Sequence, residues 1–162
     1  MSDYGLNPEQ IKYLIVKPVL TAIGLGGTTA INLVTGTALA ESRLSAIRQI
    51  TNSSVLTGTA RGLWQIEPIT AKDMMDRILP RNKNRVKIVK SYMTDQPLND
   101  QLMSNLMLGA IICRLKYLSS PKPMVRNDAT LMANYHKQIY NTAIGAADAD
   151  KNVIHFKTAM EL

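Results

Sequence analysis

The sequence contains only one cysteine, Cys113, among its 162 residues. An internal disulfide is therefore excluded, and the fold has to be stable through packing alone, as suits assembly in a reducing cytoplasm. Histidine is almost as scarce, since only His136 and His155 occur, well apart in the sequence and without any Cys-x-x-Cys motif. We therefore expect no structural zinc site.

Formal charge is absent between Lys17 and Glu41. Lysines precede this stretch and Ala38-Leu39-Ala40 imitates a signal-peptidase site, so a targeting segment is one interpretation. Glycine, threonine and asparagine are frequent within it, however, and they are unfavourable in a lipid-spanning helix. Two buried helices explain the missing charge better, and we expect no stable membrane insertion.

Aromatic residues make up only 5% of the chain, whereas 46% of its residues are hydrophobic. That apolar fraction, combined with a net charge of +7, is typical of a folded chain and not of a disordered one. The length fits one domain with a core of its own, and two complete domains would be hard to accommodate. We therefore predict a single domain over residues 1–162.

Positive charge is concentrated in one run, because seven of the 19 Lys and Arg residues fall between Lys72 and Lys90, opposed only by Asp73 and Asp76. Such a run attracts polyanions, either nucleic acid or an anionic polymer of the cell envelope. The alternative, which we favour, is a solvated face that keeps the protein soluble. Aromatic residues are not interleaved with the run, so stacking on bases has little support and no specific nucleic-acid partner is expected.

Apolar periodicity, capping residues and prolines predict a mainly helical chain. Asn7-Pro8-Glu9 has the order of an N-cap, a first-turn proline and an acidic first turn, and Gly26-Gly27 ends the helix that follows. The most apolar segment, residues 99–118, predicts a central buried helix. Gly58 and Gly62, in an irregular stretch rich in Thr, Ser and Asn, indicate a short hairpin. The other predicted helices cover residues 28–44, 68–79, 83–93, 127–140 and 148–161.

Two positions are unusual for such a scaffold. Glu41 follows a long neutral apolar helix, where a carboxyl on a partly desolvated wall holds its proton more readily, as a general acid near neutral pH must. The only tryptophan, Trp64, lies on a predicted turn next to Gln65 and Glu67. The structural alternatives are an ordinary exposed glutamate at a helix end and a tryptophan that fills the core.

Two ordered motifs carry a resemblance to the soluble lytic transglycosylase family. The family's first motif is a Glu-Ser pair at the end of a helix, which Glu41-Ser42 matches. Its second motif is Gly-Leu-(Met/Trp)-Gln-(Ile)-x-Pro-x-Thr-Ala, and it resembles Ala60-Arg61-Gly62-Leu63-Trp64-Gln65-Ile66-Glu67-Pro68-Ile69-Thr70-Ala71. Because this second match is long and ordered, it is fairly specific.

Later parts of the chain extend the resemblance over residues 28–146. The segment with Asn105 and Arg114-Leu115-Lys116-Tyr117-Leu118 is similar to the family's asparagine-containing helix that ends in Tyr-Leu. The family's third motif, Ala-x-Tyr-Asn-x-Gly, has two imperfect candidates, Ala133-Asn134-Tyr135-His136 and Tyr140-Asn141 followed by Gly145. The layout also resembles small lysozyme-like proteins of tailed bacteriophages.

The resemblance implies a mainly α, lysozyme-like α+β fold, in which a helical bundle surrounds a central buried helix and a small β-hairpin lies beside the catalytic cleft. It also implies cleavage of the β-1,4 bond between N-acetylmuramic acid and N-acetylglucosamine in peptidoglycan, with no cofactor. Glu41 then protonates the glycosidic oxygen, and its carboxylate afterwards accepts a proton. In a transglycosylase that proton comes from the muramoyl C6 hydroxyl, whereas in a hydrolase it comes from water, usually with a second carboxylate.

The supporting residues follow from the same resemblance. Ser42 orients the substrate or Glu41, and Gln65 hydrogen-bonds the N-acetyl group of the sugar or bridges to the cleft wall. Either Tyr135 or Tyr140 contacts Glu41 and holds its proton in place.

Glu67 replaces the apolar residue that is usual at its family position, and it is the candidate second carboxylate, so lyase and hydrolase chemistry both stay open. Thr70 and Asn141, in the second and third motifs, complete the supporting set.

We predict a peptidoglycan-cleaving glycosidase, with a lytic transglycosylase preferred. It would be made in a bacterial host's cytoplasm and act on the periplasmic cell wall, either as a lysis enzyme or as a virion component with other virion proteins as partners. The alternative is a non-catalytic phage structural protein that keeps the fold as an interaction module.

Overall fold

The computed structural model describes residues 3–140 and 148–162, and every regular element in that part of the chain is helical. The helices are numbered in chain order, and some contain a π-helical or 3-10 segment. Helix α1 comprises Pro8–Gln10, the π-helical Ile11–Val16 and Lys17–Ala22; α2 is Thr28–Ser42; α3 comprises Pro68–Asp73, the π-helical Met74–Ile78 and the 3-10 turn Leu79–Arg81; α4 is Lys83–Tyr92; α5 is Leu98–Ser104; α6 is Leu106–Leu118; α7 comprises Ala129–Tyr135 and the π-helical His136–Tyr140; and α8 is Ala149–Glu161.

Side-chain caps determine where several helices begin. The Asn7 side chain accepts a hydrogen bond from the backbone N–H of Gln10 at the start of α1, where Pro8 occupies the first helical position. Asn82 and Asp128 cap α4 and α7 in the same way. Each cap satisfies an N–H group that helical geometry leaves without a partner, so local sequence fixes these boundaries.

Helix α2 is buried along most of its length, from Ala30 to Leu39. Its residues there are uncharged and mostly small, so they pack on all sides without burying an ion. Helix α8 packs closely against it, since a Cβ atom at Gly36 would overlap the ring of Phe156. No helix in the described parts of the chain is both long enough and apolar enough to cross a membrane.

The central buried helix is α6, in which every residue from Leu108 to Leu115 is buried. The prediction of one helix over residues 99–118 is wrong in extent, because the backbone is extended at Asn105 (φ −108°, ψ 93°) between α5 and α6. The Asn105 side chain caps α6 at Leu108, and its amide also donates to the carbonyl of Tyr92 at 2.7 Å. Asparagine ends the first helix here because its side chain offers the backbone this alternative to helical hydrogen bonds.

The expected lysozyme-like α+β fold with a β-hairpin is wrong, although its mainly helical part fits. No strand forms among the described residues, and the segment between α2 and α3 has only isolated antiparallel bridges from Arg61 to Arg48 and to Ile66. Arg61 and Ile66 exchange both backbone hydrogen bonds at 2.9 Å, which closes a tight turn and not a pair of strands. The preceding loop presents no alternating buried face, because its apolar residues Val55 and Leu56 are adjacent in sequence and both exposed.

Candidate active site

Glu41 lies in the last turn of α2, where a buried helix reaches the surface. The helix ends there because Arg43 and Leu44 both adopt left-handed backbone conformations, with φ of 50° and 55°. The Glu41 side chain is 14% exposed, so part of it reaches solvent while the rest is packed. The side chain is therefore neither fully buried nor fully hydrated.

The carboxyl of Glu41 is hydrogen-bonded to His136, with 2.7 Å between Oε1 and Nε2. The His136 side chain is only 1% exposed, and its ring contacts those of Tyr140 and Phe156, with centroids 5.6 Å away in both cases. His136 opens the π-helical end of α7, a type of distortion that is frequent at functional sites. Sequence reasoning missed this partner, because His136 was only the last residue of a candidate third motif and nothing local indicates that it faces Glu41.

Tyr140 belongs to a stack of four rings behind this carboxyl. Ring centroids are 5.4 Å apart between Tyr135 and Tyr117, and 5.5 Å apart between Tyr117 and Tyr140, which in turn stacks on His136. The Tyr117 hydroxyl is hydrogen-bonded to Thr37 of α2 at 2.7 Å. The stack therefore connects α6 and α7 to α2.

The phenols of Tyr117 and Tyr140 and the nearby Cys113 thiol are held uncharged. Burial raises the pKa of Tyr140 well above its usual range, and the Cys113 thiol and the Glu41 carboxylate add to the rise. Burial also raises the pKa of Tyr117 and of Cys113. The two phenols therefore remain protonated at neutral pH, and Cys113, fully buried on α6, lacks the accessible thiolate that a nucleophile needs.

A tight turn that contains Trp64 lies against the end of α2. Ser42 Oγ donates a hydrogen bond to the carbonyl of Leu63 at 2.7 Å, and the Tyr140 hydroxyl donates to the carbonyl of Trp64 at 2.5 Å. The Trp64 ring is buried, and its indole N–H donates to the carbonyl of Val34 at 2.9 Å. Trp64 thus fills the core, and Ser42 joins the turn to α2 with a hydroxyl that is engaged by main-chain groups.

The same turn orients Gln65. Its backbone has a φ of 46°, and its side-chain amide donates to the carbonyl of Gly62 at 3.0 Å. Gly62 has a φ of 77°, and a Cβ atom there would overlap the carbonyl oxygen of Leu102, so only glycine fits. The turn therefore depends on Gly62, and it fixes the direction of the Gln65 side chain.

A cavity of about 60 Å³ lies beside this turn. It holds about two water molecules and is far smaller than the roughly 300–1,000 Å³ of most small-molecule sites. A cavity of this size suits a small substituent. Four of the predicted site residues contribute to a lining that consists of Gln65, Ile66, Glu67, Thr70, Ile112, Lys116 and Tyr140.

Glu67 and Tyr135 are hydrogen-bonded to groups other than Glu41, and one predicted residue lies outside the described parts of the chain. Glu67 Oε1 accepts a hydrogen bond from Thr59 Oγ1 at 3.0 Å. The hydroxyl of Tyr135 donates to the carbonyl of Lys122 at 3.1 Å, while its ring stacks on that of Tyr117. Asn141 lies outside the described residues.

Comparison of the chain with protein-family models, with curated proteins and with solved structures gives no match. Within residues 3–140 and 148–162, no group of three or more His, Cys, Asp and Glu side chains could hold a metal ion. The site is thus characterised by its own geometry: a partly exposed glutamate at a helix end, a buried imidazole bonded to its carboxyl, and a small cavity that Tyr140 helps to line. A carboxyl held in this way can transfer a proton to or from a ligand at the surface.

Proposed function

We propose that the chain cleaves the β-1,4 bond between N-acetylmuramic acid and N-acetylglucosamine in peptidoglycan, with Glu41 as catalytic acid and base. The observation that carries the proposal is the 2.7 Å pairing of Glu41 with the buried His136, while 14% of the glutamate side chain stays exposed. A glutamate that serves only solubility needs no buried imidazole partner. The resemblance of Glu41-Ser42 and residues 60–71 to the lytic transglycosylases supplies the substrate class.

The proposed reaction consists of two proton transfers at one carboxyl. Protonated Glu41 gives its proton to the glycosidic oxygen as the bond from that oxygen to C1 of the muramoyl residue breaks. The C6 hydroxyl oxygen then bonds to C1, and the hydroxyl proton passes to the Glu41 carboxylate. The product is a 1,6-anhydro sugar, Glu41 regains its acid form, and no second carboxylate takes part.

The cavity next to the Trp64 turn supports glycan binding at its mouth. Its size suits the acetamido group of an amino sugar, and its lining offers hydrogen-bonding groups on Gln65 and Thr70 and a cation on Lys116. The sugar rings themselves lie outside this cavity in the proposed complex.

Substitution of Glu41 by Gln tests the proposal. The substituted side chain keeps an oxygen that can accept the His136 hydrogen bond but has no transferable proton, so wall lysis should fall by at least about a thousandfold while the melting temperature stays nearly unchanged. The measurement is turbidity loss of purified cell walls together with thermal unfolding of both proteins. Full lytic activity in a folded Glu41→Gln variant would sink the enzymatic proposal.

A second candidate function is a non-catalytic structural protein of a phage particle. The specific observation in its favour is that the cavity beside the Trp64 turn measures only about 60 Å³, whereas most small-molecule sites reach roughly 300–1,000 Å³. In that case the wild-type chain should release no glycan fragments from purified walls at any enzyme concentration, and the Glu41→Gln variant should behave identically.

A further inference from the structure

We propose that His136 is a positioning residue, which orients the Glu41 carboxyl through a hydrogen bond that strengthens when Glu41 gives up its proton. This inference rests on the proposed function and assigns a role to a residue that the family resemblance does not. The direct contact is the 2.7 Å hydrogen bond between His136 Nε2 and Glu41 Oε1.

The hydrogen of the imidazole can be assigned from its surroundings. Nδ1 of His136 is buried and has no hydrogen-bond partner among the described residues. An N–H group at Nδ1 would be a buried donor without an acceptor, which is unfavourable, whereas an unprotonated Nδ1 leaves only a lone pair without a partner. The surroundings therefore favour a hydrogen on Nε2, which donates to Oε1 of Glu41.

This donor engages one oxygen of the Glu41 carboxyl. Because Oε1 accepts the hydrogen bond from Nε2, the carboxyl is held in one orientation at the end of α2.

The same hydrogen bond strengthens as the reaction proceeds. When Glu41 gives up its proton, Oε1 becomes part of a carboxylate, and its hydrogen bond from Nε2 becomes charge-assisted and roughly twice as strong. An interaction that is stronger in the transition state than in the ground state lowers the barrier. His136 therefore assists proton transfer without touching the glycan.

Packing keeps the imidazole in this orientation. The ring stacks on Tyr140 at an interplanar angle of 24° and meets Phe156 at 53°. Phe156 is itself fully buried against Gly36 of α2. Because its side chain is only 1% exposed and contacts both rings, His136 has little room to rotate away from Glu41.

Two substitutions at position 136 separate the hydrogen bond from the packing. His136→Phe keeps a planar ring but removes the donor, and we expect kcat to fall about ten- to a hundredfold with KM nearly unchanged. His136→Gln restores an amide donor at a similar reach, and kcat should stay within about fivefold of wild type. The matched control is His155→Phe, because His155 is also buried but bonds to Tyr4 at 2.9 Å, and its kcat should equal that of wild type.

Equal kcat values for His136→Phe and wild type, or equal losses in the Phe and Gln variants, would overturn the positioning role while leaving the proposed function intact. A wild-type chain without any glycan-releasing activity would overturn the proposed function and this role with it. Nitrogen-15 chemical shifts of the His136 ring give a readout that needs no activity. They should show hydrogen on Nε2, and a ring with its hydrogen on Nδ1 alone would refute the assignment.

Discussion

Glu41 and His136 are 95 positions apart in the sequence and 2.7 Å apart in the structure. Glu41 could be singled out from the sequence because an uncharged helix that ends in a carboxyl is a local pattern. His136 could not, because its position depends on the packing of α2 and α7 against α8, which brings together distant parts of the chain. The contact of Ser42 could not be predicted either, because its hydroxyl donates to the carbonyl of Leu63 and local sequence does not indicate that partner.

Glu67 is the residue that distinguishes lyase from hydrolase chemistry. Its Oε1 accepts a hydrogen bond from Thr59, and Gln at this position keeps that acceptor while removing the charge. A transglycosylase uses one carboxyl, so Glu67→Gln should retain activity within about fivefold of wild type. Rates of fragment release from purified walls, with Glu41→Gln as the inactive reference, provide the measurement. A loss of several orders of magnitude in a folded Glu67→Gln variant would show that Glu67 activates water.

Helices that begin with a capping side chain were the most predictable elements. Asn7 and Pro8 start α1, and Asn82 and Asp128 start α4 and α7, in each case through contacts within a few residues. The break at Asn105 was missed because apolar residues continue on both sides of it, which the helical pattern alone cannot distinguish from one helix.

The exposed face of α4 is the element that could bind an anionic polymer. Lys83, Lys87 and Lys90 are exposed, and their spacing places them on one side of the helix. Arg85 does not belong with them, because its Nε donates to the carbonyl of Ile23 at 2.8 Å and so supports the end of α1. Elsewhere in the basic run, Lys72 and Arg77 form ion pairs with acidic residues one helical turn away.

Replacement of Lys83, Lys87 and Lys90 together by Gln should weaken binding to anionic cell walls about tenfold or more at low salt and should flatten its salt dependence, because fewer counterions are released. The matched control replaces three exposed lysines of α7 and α8, namely Lys137, Lys151 and Lys157. Sedimentation with purified walls over a range of salt concentrations measures both triple variants. Equal binding by the two variants would restore the interpretation of α4 as a solvated face.

Across the whole molecule, one cluster of buried residues extends from Ile11 in α1 to Ala159 in α8. Composition and periodicity were enough to predict a mainly helical fold, because most of these buried positions recur at helical spacing. They could not predict its class. The motif around Trp64 folds as a turn closed by Arg61 and Ile66, so the local sequence resembles the family's second motif while the described chain forms no hairpin there.

The mass of the glycan fragments released from purified peptidoglycan tests the central claim most directly. An anhydro end and a reducing end differ by one water, so a single mass spectrum distinguishes the two reactions. We predict fragments with 1,6-anhydro-muramoyl ends from the wild-type chain and none from the Glu41→Gln variant. Fragments with reducing ends, or equal yields from both proteins, would contradict the proposed reaction.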